Sequence, residues 1–201
     1  MTYGYDDPVR RPTPAWQRAL VWIVGFVALL WLVEAADVVI FGNALDAQGV
    51  RPRSQDGLVG VLFAPLLHFG WGHLIANTGP LLVLGFLILL SGVGRWLMVT
   101  LVVWVVGGVG IWVVGAPQSI HAGASILVFG WLIYLMLYGL FSRRLGHLAI
   151  GVAVIIYYGG ALWGVLPGQS GVSWEGHLFG AVGGGLAAWW LAPEPRRREL
   201  R

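Results

Sequence analysis

The sequence predicts an all-α, polytopic membrane protein in which six transmembrane helices form one bundle. Three observations carry that expectation. Hydrophobic residues make up 58% of the 201 positions and charged residues only 10%, with a mean hydropathy of +0.78; a soluble domain carries about 25% charged residues. The apolar residues gather into stretches of membrane-crossing length, which is roughly 17–25 residues. Glycine and tryptophan are abundant, at 31 and 12 copies, as expected where helices approach closely and where indoles sit at the headgroup level.

Each element follows from the local pattern. Residues 1–18 are polar and proline-rich at their start and read as a tail. The first apolar stretch, about 19–41, ends in Glu34 and Asp37 with no small-residue cleavage pattern, so it reads as a retained span and not as a signal peptide. Those two acids stand i, i+3 near its outer end and are expected to face water or the outer loop. A long connection then runs from Gly42 to about Gly72. Its second half, 58–67, is apolar yet too short to cross, which predicts an interfacial segment or a re-entrant piece packed against the bundle. Further spans are expected at about 73–90, 96–115, 120–141, 147–166 and 174–192. Glycine, proline and serine punctuate the breaks: Ser91-Gly-Val-Gly-Arg95, Gly115-Ala-Pro-Gln-Ser119, Ser142-Arg-Arg-Leu-Gly146 and Pro167-Gly-Gln-Ser-Gly171. The membrane domain is therefore 19–192, and 193–201 is a short basic tail.

Arginine placement orients the bundle. All twelve basic residues are arginine. Arg10, Arg11, Arg18, Arg95, Arg143, Arg144, Arg196, Arg197, Arg198 and Arg201 fall on one side, against Arg51 and Arg53 on the other. The positive-inside rule then puts both termini in the cytoplasm. The all-arginine, Ala/Val/Gly-rich usage points to a GC-rich bacterial genome, so the bacterial plasma membrane is the expected location. A chain so poor in charge has no nucleic-acid footprint. The absence of cysteine excludes a disulfide scaffold and a thiolate zinc site.

Orientation gathers the polar residues of three spans at one depth. His73 and Asn77 lie in the outer turns of the second span, Ser125 near the outer end of the fourth, and His177 in the first turn of the sixth. Ionisable and strongly polar groups inside a membrane are costly and default to functional candidates. Ser125 is a candidate nucleophile, which needs a base, and neutral His177 is the best placed one. Most membrane serines merely permit close packing, but Gly123 and Ala124 leave room for a carbonyl to approach. His73 and Asn77 share a helix face at i, i+4 and could donate to an oxyanion; the bland alternative is interhelical glue. Gly180 and Gly184 form a small-residue track that would let the sixth span close on a neighbour. His121 reads as capping or lining the entrance, one turn above Ser125 on the same helix. His68 precedes the second span, and His147 sits in a cytoplasmic connection. A metal set of His68, His73, His177 and Glu175 has no ordinary ligand spacing, so no metal is expected.

With these residues in place, the chain resembles the rhomboid intramembrane serine proteases over about residues 19–192. The resemblance rests on His73-x-x-x-Asn77, Gly123-x-Ser125 and His177-x-x-Gly180-x-x-x-Gly184 occurring in that order. It implies a six-helix rhomboid-like bundle and a Ser125–His177 dyad without an aspartate. It also implies an oxyanion site from His73, Asn77 and the Ser125 amide, and no cofactor. Phe129 matches an aromatic that packs on the histidine of the dyad. The substrates implied are transmembrane segments of other proteins in the bilayer, cut near the outer face. Ile126 stands where the family has glycine, Phe129 lacks the hydroxyl of the tyrosine often found there, and the first loop has no Trp-Arg pair. Two other readings are open: an inactive rhomboid-fold protein that binds membrane clients, and a small channel or transporter. The latter should show internal repeats, and none is visible.

Overall fold

The computed structural model describes residues 13–169 and 171–192, and among them it is helical with no strand. Residues 1–12 of the predicted N-terminal tail and all of the predicted C-terminal tail, 193–201, lie outside the described residues, and with them Arg10, Arg11 and the four C-terminal arginines.

Seven α-helices appear in order among the described residues. Helix α1 (Ala15–Ala36) continues as a π-helical turn over Asp37–Phe41. Helix α2 (Gln55–Phe63) runs into a 3-10 turn, Ala64–Leu66. Then come α3 (Trp71–Leu89), α4 (Val93–Val114) and α5 (Ser125–Ser142). Helix α6 (Leu145–Tyr158) is prolonged by a 3-10 segment, Gly159–Val165, and α7 (Trp174–Trp190) closes the bundle. Five of them (α1, α3, α4, α5 and the extended α6) have the length and apolarity to cross a membrane. The sixth predicted span is α7, whose 17 residues reach only about 26 Å at 1.5 Å per residue. It can be short because it is packed chiefly between α4 and α5 and not against lipid.

Small residues make that packing possible. A Cβ at Gly180 would overlap the Ile126 carbonyl, and one at Gly184 would overlap the Gly130 carbonyl. Helices meet this closely in membranes where glycine leaves backbone against backbone. Gly184→Val should therefore cost at least the roughly 1–3 kcal/mol of ordinary overpacking, because a carbonyl cannot rotate aside. Gly185→Val should be tolerated, since its Cβ meets Leu137 at an ordinary 3.6 Å. Thermal unfolding of both variants in detergent tests the contrast.

The long first connection packs on the bundle, as its apolar second half predicts. Ser54 caps α2 by accepting from the Gly57 amide at 3.0 Å. Two α4 indoles then donate to this segment: Trp104 to the Val61 carbonyl (2.7 Å) and Trp112 to the Ser54 carbonyl (2.8 Å). Protein groups thereby satisfy a backbone that lipid could not.

One expectation is narrowed and another corrected. Of water and the outer loop, the settings expected for Glu34 and Asp37, water is ruled out, for both acids are buried. Left-handed Gly42 and Asn43 reverse the chain after α1, so the Leu45 amide donates to Asp37 Oδ1 at 2.9 Å and covers it. The fourth span also starts later than residue 120. Helix α5 begins at Ser125, so His121 is not on the same helix. Residue 121 pairs instead with Val50 through two backbone hydrogen bonds of 2.8 and 3.0 Å. Gly123, at φ +129°, prevents the helix from starting earlier.

Candidate functional site

Helices α3, α5 and α7 alternate with α4 and α6 and so begin at the same end of the bundle, beside the connection between α1 and α3. Ser125, His73 and His177 occupy their first turns, and Asn77 follows one turn into α3.

Ser125 is the first residue of α5, with Ala124 as its cap. The Ala124 carbonyl accepts from the Leu127 and Val128 amides at 2.9 and 3.1 Å. That leaves the Ser125 and Ile126 amides as orphan donors of the helix start, where the helix dipole also favours negative charge. Ser125 is half-buried, and among the described residues its hydroxyl makes no hydrogen bond. Ile126 packs its side chain against Gly107 of α4 and near Gly176 of α7. A branched residue after the serine is thus accommodated by glycines on two neighbouring helices.

His177 sits in the first turn of α7. Its ring lies flat on Phe129, with centroids 3.9 Å apart and planes 9° from parallel. Phe129 stands one turn beyond Ser125 on α5, so this stacking brings the histidine to the same stretch of helix. His177 Nδ1 lies 2.9 Å from the Gly164 carbonyl. A carbonyl can only accept, so Nδ1 carries the proton and Nε2 keeps its lone pair in the neutral ring. A Cβ at Gly164 would stand 2.9 Å from Phe129 and 3.0 Å from His177 Nδ1, so a side chain there would displace the stack. Sequence reading missed this acceptor because no residue type marks a backbone carbonyl.

His73 and Asn77 come from α3. The His73 ring abuts Gly123, where a Cβ would stand 2.5 Å from Cε1 and 2.7 Å from Nε2. Together with its positive φ, that contact restricts position 123 to glycine. Phe69 lies nearly parallel to His73 and His68 edge-on, at 6.4 and 5.2 Å between centroids. Asn77, one turn further on, is buried and its Nδ2 has no partner among the described residues. A buried amide donor left unmatched is expensive and is the kind of exception that calls for a functional account.

His68 has a place that its sequence position alone did not reveal. It is fully buried before α3, and its Nε2 accepts the Ala124 amide at 3.3 Å. Burial, and behind it the neighbouring His73, pushes His68 down to about 4, which keeps that lone pair available at neutral pH. His68 and the Ala64 carbonyl, which takes the Gly123 amide at 2.8 Å, together fix the two residues before Ser125. Glu175 is buried in the α7 first turn beside His177, but no group of three metal-capable side chains occurs among the described residues.

Membrane-length helices that enclose serine, histidine and asparagine at one end define a polytopic membrane protein with a recessed polar site. The chain belongs to the rhomboid family: the Rhomboid domain model matches residues 55–194, a range that contains every site residue above. It is 49% identical to the uncharacterized protein Rv1337 of Mycobacterium tuberculosis, over 96% of this chain and 86% of that protein. The corresponding figures for the uncharacterized protein ML1171 of Mycobacterium leprae are 47%, 95% and 81%. It is also 33% identical to the rhomboid protease GluP of Bacillus subtilis, over 75% of this chain and 29% of that protein.

Proposed function

We propose that the protein is an intramembrane serine endopeptidase that cuts transmembrane segments of other membrane proteins near the outer face of the bacterial plasma membrane. The observation that carries this reading is the setting of His177, stacked on the helix of Ser125 with Nδ1 committed to the Gly164 carbonyl. A base oriented by a third group is the arrangement that activates a weak nucleophile. Family membership and the likeness to a rhomboid protease support it.

In this reading Ser125 Oγ attacks the scissile carbonyl and passes its proton to His177 Nε2. Negative charge develops on the carbonyl oxygen, facing the Ser125 amide, His73 and the unmatched Nδ2 of Asn77. The imidazolium then protonates the leaving amine as the peptide C–N bond breaks. Water hydrolyses the acyl-enzyme by the same route and restores Ser125. No cofactor takes part. An open apolar groove of about 500 Å³ between α3 and α6, lined by Val83, Leu87, Ile150, Val154, Tyr157 and Tyr158, suits the side of an apolar helix. Helix α6 is the least enclosed of the spans, so it can yield to a substrate at little cost in packing.

Purified protein should cleave a transmembrane model substrate, and Ser125→Ala should not. Equal cleavage by the two would sink the protease reading; binding of the substrate without cleavage by either would favour the client-binding alternative. The proposed orientation, with 1–18 and 193–201 as cytoplasmic tails, has its own test. A cysteine at Gln169 should react with an impermeant thiol reagent in intact cells and one at Arg198 should not. The chain has no native cysteine to interfere, and the reverse pattern would invert the bundle.

A further inference from the structure

His121 is buried outside the catalytic cluster, yet it joins three parts of the molecule. Its backbone pairs with Val50 of the first connection. Its Nδ1 lies 2.7 Å from Ser173 Oγ, and its Nε2 lies 2.6 Å from Ser119 Oγ. Ser173 is the cap of α7, where its Oγ accepts from the Gly176 amide at 3.2 Å. Ser119 Oγ in turn lies 2.7 Å from the Ala116 carbonyl.

The Ala116 carbonyl at one end fixes the direction of these bonds. Between Ser119 Oγ and the Ala116 carbonyl the only hydrogen available is that of the hydroxyl, so Ser119 donates there. It therefore accepts from His121, whose Nε2 carries the proton. In the neutral ring Nδ1 then accepts, and Ser173 must donate to it. One unbroken chain results, from the Gly176 amide through Ser173, His121 and Ser119 to the Ala116 carbonyl. Each side chain in it both accepts and donates, the arrangement in which hydrogen bonds strengthen one another. Burial pushes the His121 imidazole below its ordinary range, against an opposing pull from Glu175, in keeping with the neutral form.

The chain bears on the site through spacing. His121 stands four residues before Ser125, and Ser173 four residues before His177. Their contact ties the lead-in of α5 to the cap of α7 at matched distances upstream of nucleophile and base. No hydrogen bond joins Ser125 to His177 among the described residues, so their separation is set by what holds the two helix starts. We propose that His121 is a positioning residue that sets the approach of His177 to Ser125 by pinning the α7 cap. The inference rests on the protease reading.

The test is the rate and the endpoint of fluorophosphonate labelling of the full chain in detergent, with thermal unfolding alongside. A displacement near 1 Å can cost about 100-fold in rate, so His121→Ala and Ser173→Ala should each slow labelling by roughly 10- to 100-fold. The endpoint should stay complete, because the site is mispositioned and not lost. The double variant should be no slower than the slower single variant, as expected for two residues in one network. Ser173→Thr, which keeps the hydroxyl, should restore most of the rate lost in Ser173→Ala. Should His121→Ala not fold, Ser119→Ala breaks the same chain at its rim and must slow labelling with a complete endpoint. Wild-type rates in these variants, or a reduced endpoint with an unchanged rate in the folded fraction, would overturn the inference alone. A wild type that never labels would overturn the protease reading and this inference with it.

Discussion

Exchanging His177 for asparagine should abolish peptide-bond cleavage while leaving the bundle folded. A serine without its base is a poor nucleophile, and removing one member of a pair that acts as a unit costs about 10⁶-fold in turnover. The asparagine is chosen from the geometry. Its amide nitrogen can stand near the position of Nδ1 and keep donating to the Gly164 carbonyl, which His177 engages at 2.9 Å, but it supplies no lone pair in place of Nε2. His177→Ala should be equally inactive and also less stable, because it leaves the Gly164 carbonyl without its donor and Phe129 without its stacking partner; losing a typical hydrogen bond costs about 0.5–1.5 kcal/mol. The readouts are cleavage of a transmembrane substrate and thermal unfolding. Cleavage by His177→Asn at even a tenth of the wild-type rate would remove His177 from the role of base.

Asn77→Ala should lower turnover by about 10²–10³-fold, the usual consequence of deleting one oxyanion donor, with no loss of thermal stability. The structural alternative makes the opposite prediction. If Asn77 held the bundle together, its removal would reduce stability and activity in step. Its Nδ2 has no partner among the described residues, so alanine breaks no bond at that atom and relieves a buried unmatched donor. Asn77→Asp should be worse than alanine, because a carboxylate offers only acceptors to a developing negative charge. Parallel losses of melting temperature and activity in Asn77→Ala would return the residue to a structural role.

The features legible in the sequence are those written in residue type and period. Apolar stretches and their glycine and proline breaks located the helices to within a few residues, because burying twenty backbone amides in lipid leaves a helix as the available solution. The exceptions are instructive. Helix α5 starts at Ser125 and not near residue 120, because Gly123 is held at positive φ between the Ala64 carbonyl and the His73 ring. Both of those contacts come from more than 45 positions away in the chain, and no local pattern encodes them. The choice between water and the outer loop for Asp37 rests on a similar contact: the chain reversal at Gly42 and Asn43 brings the Leu45 amide onto its carboxylate.

By itself, then, the sequence determined a membrane bundle and the identity of the residues at one end of three of its helices, because hydropathy and side-chain chemistry are local properties. The tertiary structure decided how those residues are held. It placed the Gly164 carbonyl on His177, His68 on the amide before Ser125, and His121 between the two helix starts. Each of those links runs through a backbone group or a distant contact, and its geometry exists only once the helices have packed through their glycines.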